Sequence, residues 1–447
     1  MKLGELVEIL KGSFSGERSI LDGDYQGLSI DSRRECEGKV FVALKGQNFD
    51  AHDFVRDAVD RGAVFCVVER HVDVPHLLVD DTLRALQEIA KAWRLRVDPK
   101  VVGITGSSGK TTTKEMVRHA LSHLVKCCAN RGNENNLVGL PLNLANMPSD
   151  TEVFVAEMGT NAFGEIEALS RIVRPDVAAI TTIGESHLEG LGDLEGVFRE
   201  KMGIISSMSG GSLLFCSESP FFEKAKALCS VRGVEVVPLG RKGDFGWFER
   251  VGFDAVRFVI DGKALTVRLK VLGEHNAYNA LFALSAVSLL GFDWRDAAEA
   301  LSTFSPAKGR FVVERLGDIT LVDDTYNANP LSTKAALRFL SGLEGRKIFV
   351  FGSMLELGEE SRRLHSEIGS FAHECGIDIL IAFGGDAKYA ASAFSKSGGQ
   401  ALVFERHEDI VDYLVSSLKS GDNILVKGSR GMRMEKVVEG IRDCFGS

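Results

Sequence analysis

The chain has 447 residues, 45% of them apolar and 26% charged, with a formal net charge of -9. That length accommodates roughly two to four domains of ordinary size, each able to bury a core of its own. The acidic balance argues against a nucleic-acid binder, whose phosphate contacts need a basic face, and no run approaches the roughly 20 apolar residues of a membrane span.

In chain order, "MKLGELVEILKG" predicts a short amphipathic helix and lacks the apolar stretch of a signal peptide. The rest of residues 1–98 mixes short strands ("GKVFVALKG", "AVFCVVER", "HLLVDD") with helical stretches ("FVRDAVDRG", "LRALQEIAKAWRLRV"). Pro99 in "VDPK" marks a break. Residues 99–313 alternate: "VVGIT", a helix from Lys110, "VFVAEMG", "FGEIEALSRIVR", "VAAITTIG" and "LEGVFREKMGIISSM". This alternation predicts a mostly parallel sheet with crossover helices. A period-two stretch with an Asp-Gly turn predicts a hairpin at 253–271, and "NAYNALFALSAVSLLG" predicts a helix that stops at a glycine.

From 314 to 447, "DITLVDD", "KIFVFGS", "DILIAFGG", "ALVFE" and "NILVKGS" are apolar strands with helical pattern between them. They predict a Rossmann-like domain of about 130 residues. The expected fold class is α/β in three domains: a small mixed α/β domain, a central mostly parallel sheet with a phosphate loop, and a C-terminal Rossmann-like domain. The eight cysteines show no C-x-x-C pair and no zinc spacing, which reads as reduced thiols of a cytoplasmic protein.

The sharpest chemistry lies in "GITGSSGKTTTK". Gly106 and Gly109 let successive N–H groups turn toward an anion, Lys110 adds a point charge, and the helix that starts there aims its positive end at the same place. Thr111 offers a hydroxyl to Mg²⁺. Gly106, Ser107, Ser108, Gly109, Lys110, Thr111 and Thr112 are the expected nucleotide-binding residues. Ile104 stands where the usual motif has its first glycine, with Gly103 one residue early. A bare strand-to-helix turn is the bland alternative.

Glu157 ends "VFVAE", where phosphate-loop proteins place an acid that helps hold Mg²⁺. His187 follows a strand end, and Lys201 by position alone is a solvated helix lysine. "DLEG" at 193–196 and "DFG" at 244–246 match elements of GTPases and kinases, but the companion motifs are missing. Arg310 precedes one strand, and Asp323, Asp324, Asn327 and Asn329 follow the next. They read either as a cleft wall or as ordinary turn chemistry.

Taken together, "GITGSSGKTTTK", "AEMG", "SHLEG…REKMGI", "GEHNAYNALFA" and Gly309-Arg310 resemble the Mur ligase family, the ATP-dependent amide ligases of peptidoglycan precursor synthesis. The likeness spans essentially the whole chain. "DDTYNANP", "FGSMLELGEESRRLH", "GSRGMRMEKVV" and "SIDSRRECEGKVFVALKGQNFDAHDF" are similar to the branch that adds D-alanyl-D-alanine to UDP-N-acetylmuramoyl-tripeptide. Asp50-Ala51-His52 departs from that branch's D-G-H by one glycine.

The resemblance implies an ADP-forming ligation through an acyl phosphate and a tetrahedral intermediate, with ATP and two Mg²⁺ sites. Lys110 would hold the β- and γ-phosphates, Thr111 and Glu157 the first Mg²⁺, and His187 the second. Lys201 would be carbamylated and support a metal. Asn276 and Asn279 would contact adenine, while Arg310 and Asp324 would reach the γ-phosphate and ribose from across the cleft. Ser32, Arg33, Lys45 and Gly46 would hold the UDP end. Asn135, Asn136, Asn327 and Asn329 would face the substrates. The C-terminal domain would close over ATP.

The expected enzyme is a cytoplasmic monomer with no nucleic-acid partner and no membrane insertion. A sister ligase adding a diamino acid to UDP-muramoyl-dipeptide carries a D-N-P-R loop that is not found here. A non-ligating nucleotide switch would need neither His187 nor Lys201. Folylpolyglutamate synthetase shares the central fold without a UDP-holding N-terminal domain.

Overall fold

Three sets of apolar strands condense into three sheets in a computed structural model that describes residues 1–46 and 48–445. The first sheet runs Ser13–Ser15, His76–Leu78, Phe65–Val68, Val40–Val42, Leu28–Ser29. Only its first pairing is antiparallel. Val40–Val42 and Phe65–Val68 are buried throughout, as strands covered on both faces are.

The second sheet runs Cys127–Ala129, Val153–Glu157, Lys100–Thr105, Val177–Ile180, Ser212–Cys216, Glu235–Gly240, Gly246–Arg250, Ala255–Ile260, Lys263–Arg268. All its pairings but the last two are parallel. The hairpin expected at 253–271 is present and turns on Asp261 and Gly262, both with positive φ. Four strands of this sheet escaped the sequence reading: Cys127–Ala129, Ser212–Cys216, Glu235–Gly240 and Gly246–Arg250. Pro238 and Gly246 lie inside two of them and weaken a strand signal.

The third sheet runs Val312–Leu316, Ile319–Asp324, Asn423–Lys427, Lys347–Gly352, Ile379–Phe383, Gln400–Phe404, parallel except at its first pairing. Helices alternate with its strands as the periodicity predicts. The sheet begins at Val312, within the segment expected to be central, because Val312–Leu316 folds back on Ile319–Asp324 as a hairpin.

Parallel register brings the carboxyl ends of Val153–Glu157, Lys100–Thr105 and Val177–Ile180 to one edge, where α/β sheets collect ligands. The first two sheets share a core that includes Leu28, Ile89, Leu140 and Phe154. Leu188, Leu191 and Val197 from the middle of the chain pack with Val322, Phe351 and Leu425 of the third sheet. Among the described residues no helix is long and apolar enough to cross a membrane.

Asn146 ties the first two sheets together. Its Oδ1 accepts Leu28 N at 2.7 Å, and its Nδ2 donates to Leu28 O at 3.1 Å. Asn146→Ala orphans both backbone groups, so urea unfolding should show a loss of about 1–3 kcal/mol. A change under about 0.5 kcal/mol, the usual scale of a surface substitution, would contradict that role.

Candidate active site

Gly106 and Gly109 hold φ of 148° and 83°. A Cβ at Gly106 would lie 2.0 Å from Thr181 Oγ1, and one at Gly109 2.4 Å from Asn279 Oδ1. Conformation and space both demand glycine. Ser107 Oγ donates to Gly184 O at 2.7 Å and accepts from Gly184 N and Ser186 Oγ, each at 3.0 Å. Ser108 N donates to Thr182 Oγ1 at 2.9 Å. The serines thus fasten the loop to the segment leading to His187. Lys110 Nζ donates back to Gly106 O at 2.7 Å. Burial pulls the Lys110 pKa down; Glu157 opposes this and Arg310 adds to it. Thr112 sits half-buried in the first helical turn.

Glu157, 1% exposed, is the buried acid of this edge. The Thr111 hydroxyl lies 2.9 and 2.8 Å from its two oxygens, Asn135 Nδ2 donates at 2.7 Å, and Lys114 Nζ stands 3.5 Å away. Asn130 Oδ1 accepts the Glu157 N–H at 2.7 Å. Lys114 also donates to the Asn130 and Gly132 carbonyls at 2.8 and 3.0 Å. Sequence reading missed Lys114 and Asn130. The available signal was Lys114's position one helical turn after Lys110 on the same face.

His187 has a left-handed backbone, with φ of 53°. Its Nδ1 lies 2.6 Å from Glu356 Oε2 of the third-sheet domain. Nδ1 is close to that carboxylate without hydrogen-bond alignment, and it has no other partner. The contact with His187 holds the Glu356 carboxyl below its ordinary value, against burial.

Lys201 is 1% exposed, which overturns the reading of a solvated lysine. Burial, and then the Lys110 ammonium, pull its pKa well below the ordinary value; Glu200 opposes them. Glu200 is itself occupied, accepting Gly164 N at 2.6 Å and Ile166 N at 2.8 Å. Among the described residues, no three His, Cys, Asp or Glu side chains gather into a cation cage.

Asn276 and Asn279 are buried behind Gly109. Asn279 Nδ2 donates to Asn276 Oδ1 at 3.1 Å, and Thr113 Oγ1 to Asn279 Oδ1 at 3.3 Å. Burial pushes the neighbouring His275 down to about 4; Asp324 opposes this and Lys427 adds to it. Asp324 pairs with the buried Lys427, which also donates to Asn327 O at 2.9 Å. The Arg310 guanidinium stacks 3.8 Å from the Tyr326 ring centre.

Several residues expected to face substrate have internal partners. Asn329 Oδ1 caps the helix Pro330–Ser341 through Ser332 N at 2.8 Å, and its Nδ2 donates to Ser107 O at 3.0 Å. Asn327 is exposed, with Oδ1 accepting Ala328 N at 2.9 Å. Asn135 serves Glu157, and Asn136 Oδ1 accepts Val138 N and Gly139 N at 3.1 and 2.8 Å. Short amides at turns satisfy nearby backbone groups first, which the sequence motif alone does not reveal.

Ser32 and Arg33 stand apart on the first domain, lining a cleft of about 490 Å³ with Phe49, Phe54 and Arg61. Arg33 pairs with Asp31 at 2.9 and 3.0 Å. Lys45 and Gly46 are exposed on a nearby turn. A larger cleft of about 940 Å³, bordered by Phe163, Arg199 and Arg232, contains none of the expected residues. The two decoys are caps and turns: Asp193 Oδ1 accepts Gly196 N at 2.8 Å, and Asp244 Oδ2 accepts Arg241 N at 2.8 Å.

Residues 104–287 match the Mur ligase middle domain, residues 309–430 the Mur ligase glutamate ligase domain, and residues 24–94 the Mur ligase family catalytic domain. The UDP-N-acetylmuramoyl-tripeptide–D-alanyl-D-alanine ligase of Bacillus subtilis (strain 168) is 34% identical over 97% of this chain and 96% of its own. A crystal structure of MurF from Acinetobacter baumannii superposes with a TM-score of 0.91 at 30% identity, covering 99% of this chain and 98% of that one. The MurF ligase of Thermotoga maritima, solved in complex with ADP, gives 0.84 at 30% identity, with 94% and 98% covered.

The buried pair of Lys114 with Glu157 yields a stability test. Lys114→Met leaves the carboxylate without its cation and two carbonyls without a donor. Chemical denaturation should show a loss of about 3–5 kcal/mol, the usual cost of breaking a buried pair from one side. Unchanged stability would contradict the pairing.

Proposed function

The chain belongs to the Mur ligase family, and we propose that it is the member that joins D-alanyl-D-alanine to UDP-N-acetylmuramoyl-tripeptide at the expense of ATP. One contact carries the reading within the structure. Asn329, in the "DDTYNANP" loop typical of the dipeptide-adding branch, donates to Ser107 of the phosphate loop at 3.0 Å. The loop that marks the branch therefore packs against the phosphate loop.

Lys110 and the loop N–H groups would hold the β- and γ-phosphates at the start of the helix Lys110–Leu121. Arg310 brings a further cation, whose charge is already felt at Lys110. Asn276 and Asn279 would contact adenine, and Asp324 would reach the ribose. A free carboxylate is a poor electrophile. Moving the γ-phosphoryl group onto it gives an acyl phosphate, the dipeptide amine attacks, and the tetrahedral adduct expels phosphate. The protein aligns these groups and neutralises their charge.

The residues present fit Mg²⁺. Thr111 and Glu157 are hard oxygen donors at the loop, and Mg²⁺ ordinarily takes one or two protein carboxylates and completes its shell with phosphates and water. The imidazole of His187, at the end of the segment bonded to Ser107, fits a second position through its Nε2. Bound there, the cations would neutralise phosphate oxygens. Lys201, whose charged form burial disfavours, can add its amine to CO₂ and release a proton, becoming the carbamate anion that a metal site needs. Ser32, Arg33, Lys45 and Gly46 would hold the UDP end at the 490 Å³ cleft, where Phe49 and Phe54 stack 5.2 Å apart. For Asn135 the geometry favours support of Glu157 over substrate contact. We place the enzyme in the cytoplasm, where ATP is available.

With ATP, Mg²⁺, UDP-muramoyl-tripeptide and D-Ala-D-Ala, the protein should form ADP and the pentapeptide product one for one. Turnover only with the dipeptide precursor and a free diamino acid would overturn the assignment. Lys201→Ala should lower kcat by about 10²-fold or more, as loss of a transition-state charge partner does, with partial rescue by formate or acetate. Wild-type activity in that variant would refute the carbamate.

A further inference from the structure

Glu356 sits in a loop, residues 353–357, to which none of the roles above assigns a function. Its backbone is left-handed, with φ of 63°, a conformation that persists in a non-glycine residue only when its surroundings enforce it. Here they do. Met354 N donates to His365 Nε2 at 2.9 Å, and Leu355 N to Ser429 Oγ at 2.9 Å. Asp386 N and Ala387 N donate to Ser353 Oγ at 3.1 and 3.0 Å. His365 is wholly buried and held in turn by Ser361 O, 2.7 Å from its Nδ1.

The pinned loop presents Glu356 across the domain joint. Glu356 O accepts Glu189 N at 3.3 Å, and Glu356 Oε2 meets His187 Nδ1 at 2.6 Å. His187 is left-handed as well, so two strained residues face one another from different domains. A contact held from both sides in this way orients a side chain more than it stabilises a fold. The half-exposed Glu356 carboxylate adds little stability of its own.

We propose that Glu356 is a positioning residue: from the C-terminal domain it engages Nδ1 of His187, fixes the ring, and directs Nε2 toward the second cation. Metal-bound histidines characteristically give their other nitrogen to a carboxylate, which sets tautomer and orientation. Here the carboxylate belongs to a different domain from the ring. The second cation is then held tightly only when the domains are together, so cation binding and closure reinforce each other. The proposal rests on the reading of His187 as a cation ligand. It also gives "FGSMLELGEESRRLH" and "GSRGMRM" a common task, since His365 and Ser429 from those stretches build the loop.

Mn²⁺ titrations of the full-length protein with ADP, followed by electron paramagnetic resonance, test this. Wild type should bind two Mn²⁺. Glu356→Gln should keep the first with unchanged affinity and unchanged ADP affinity, while the second weakens by about 10–100-fold. His187→Ala should lose the second ion. Glu356→Gln binding both ions as wild type does, while His187→Ala loses one, would overturn the role of Glu356 and leave His187 standing. His187→Ala retaining both would overturn the ligand reading itself.

Discussion

A carboxylate buried to 1% exposure cannot remain without partners, and Glu157 is such a group. Its partners come from two separated stretches: Thr111 and Lys114 from one helix, and Asn130 and Asn135 from the segment after Cys127–Ala129. Meeting them requires Val153–Glu157 to lie between Lys100–Thr105 and Cys127–Ala129, which is the observed strand order. The helix must start at Lys110, since only then does Thr111 face the acid and Lys114 follow one turn later. The phosphate loop is shaped by the same requirement, held between Glu157 on one side and the 181–186 segment on the other.

Around this acid the charge is mostly positive. Burial chiefly depresses Lys110 and Lys201, and the neighbouring cations add to it, Arg310 at Lys110 and Lys110 at Lys201. Such a gathering is unfavourable alone and becomes favourable when phosphates enter. The C-terminal domain contributes contacts of the same kind to this edge: Asn329 on Ser107, Glu356 on His187, and Asp324 with Lys427 beside His275. Nucleotide and third domain thus act on one region, which is what a ligase needs if it is to close before transferring a phosphoryl group.

Much of this was legible in the sequence, for reasons specific to each residue. Lys110, Thr111 and Glu157 could be placed because a strand, a glycine turn and a helix fix their positions locally. Strand alternation disclosed the two parallel sheets, while Pro238 and Gly246 hid two strands. The burial of Lys201 was illegible, because its helix carries polar residues on both sides and the covering surface comes from elsewhere in the chain. Resemblance supplied what periodicity could not. The asparagines do work that their motifs do not announce: Asn136 and Asn329 accept backbone N–H groups at the start of nearby helices. Glu356 could not be found at all from its own stretch, since its meaning lies in a histidine of another domain.

The central claim is that the bond broken at the phosphate loop activates a carboxylate. Tripeptide substrate labelled with ¹⁸O in its terminal carboxylate tests this directly. The account predicts that one labelled oxygen leaves in each inorganic phosphate as the amide forms, because that oxygen attacked the γ-phosphorus. Pentapeptide formation with unlabelled phosphate would contradict it.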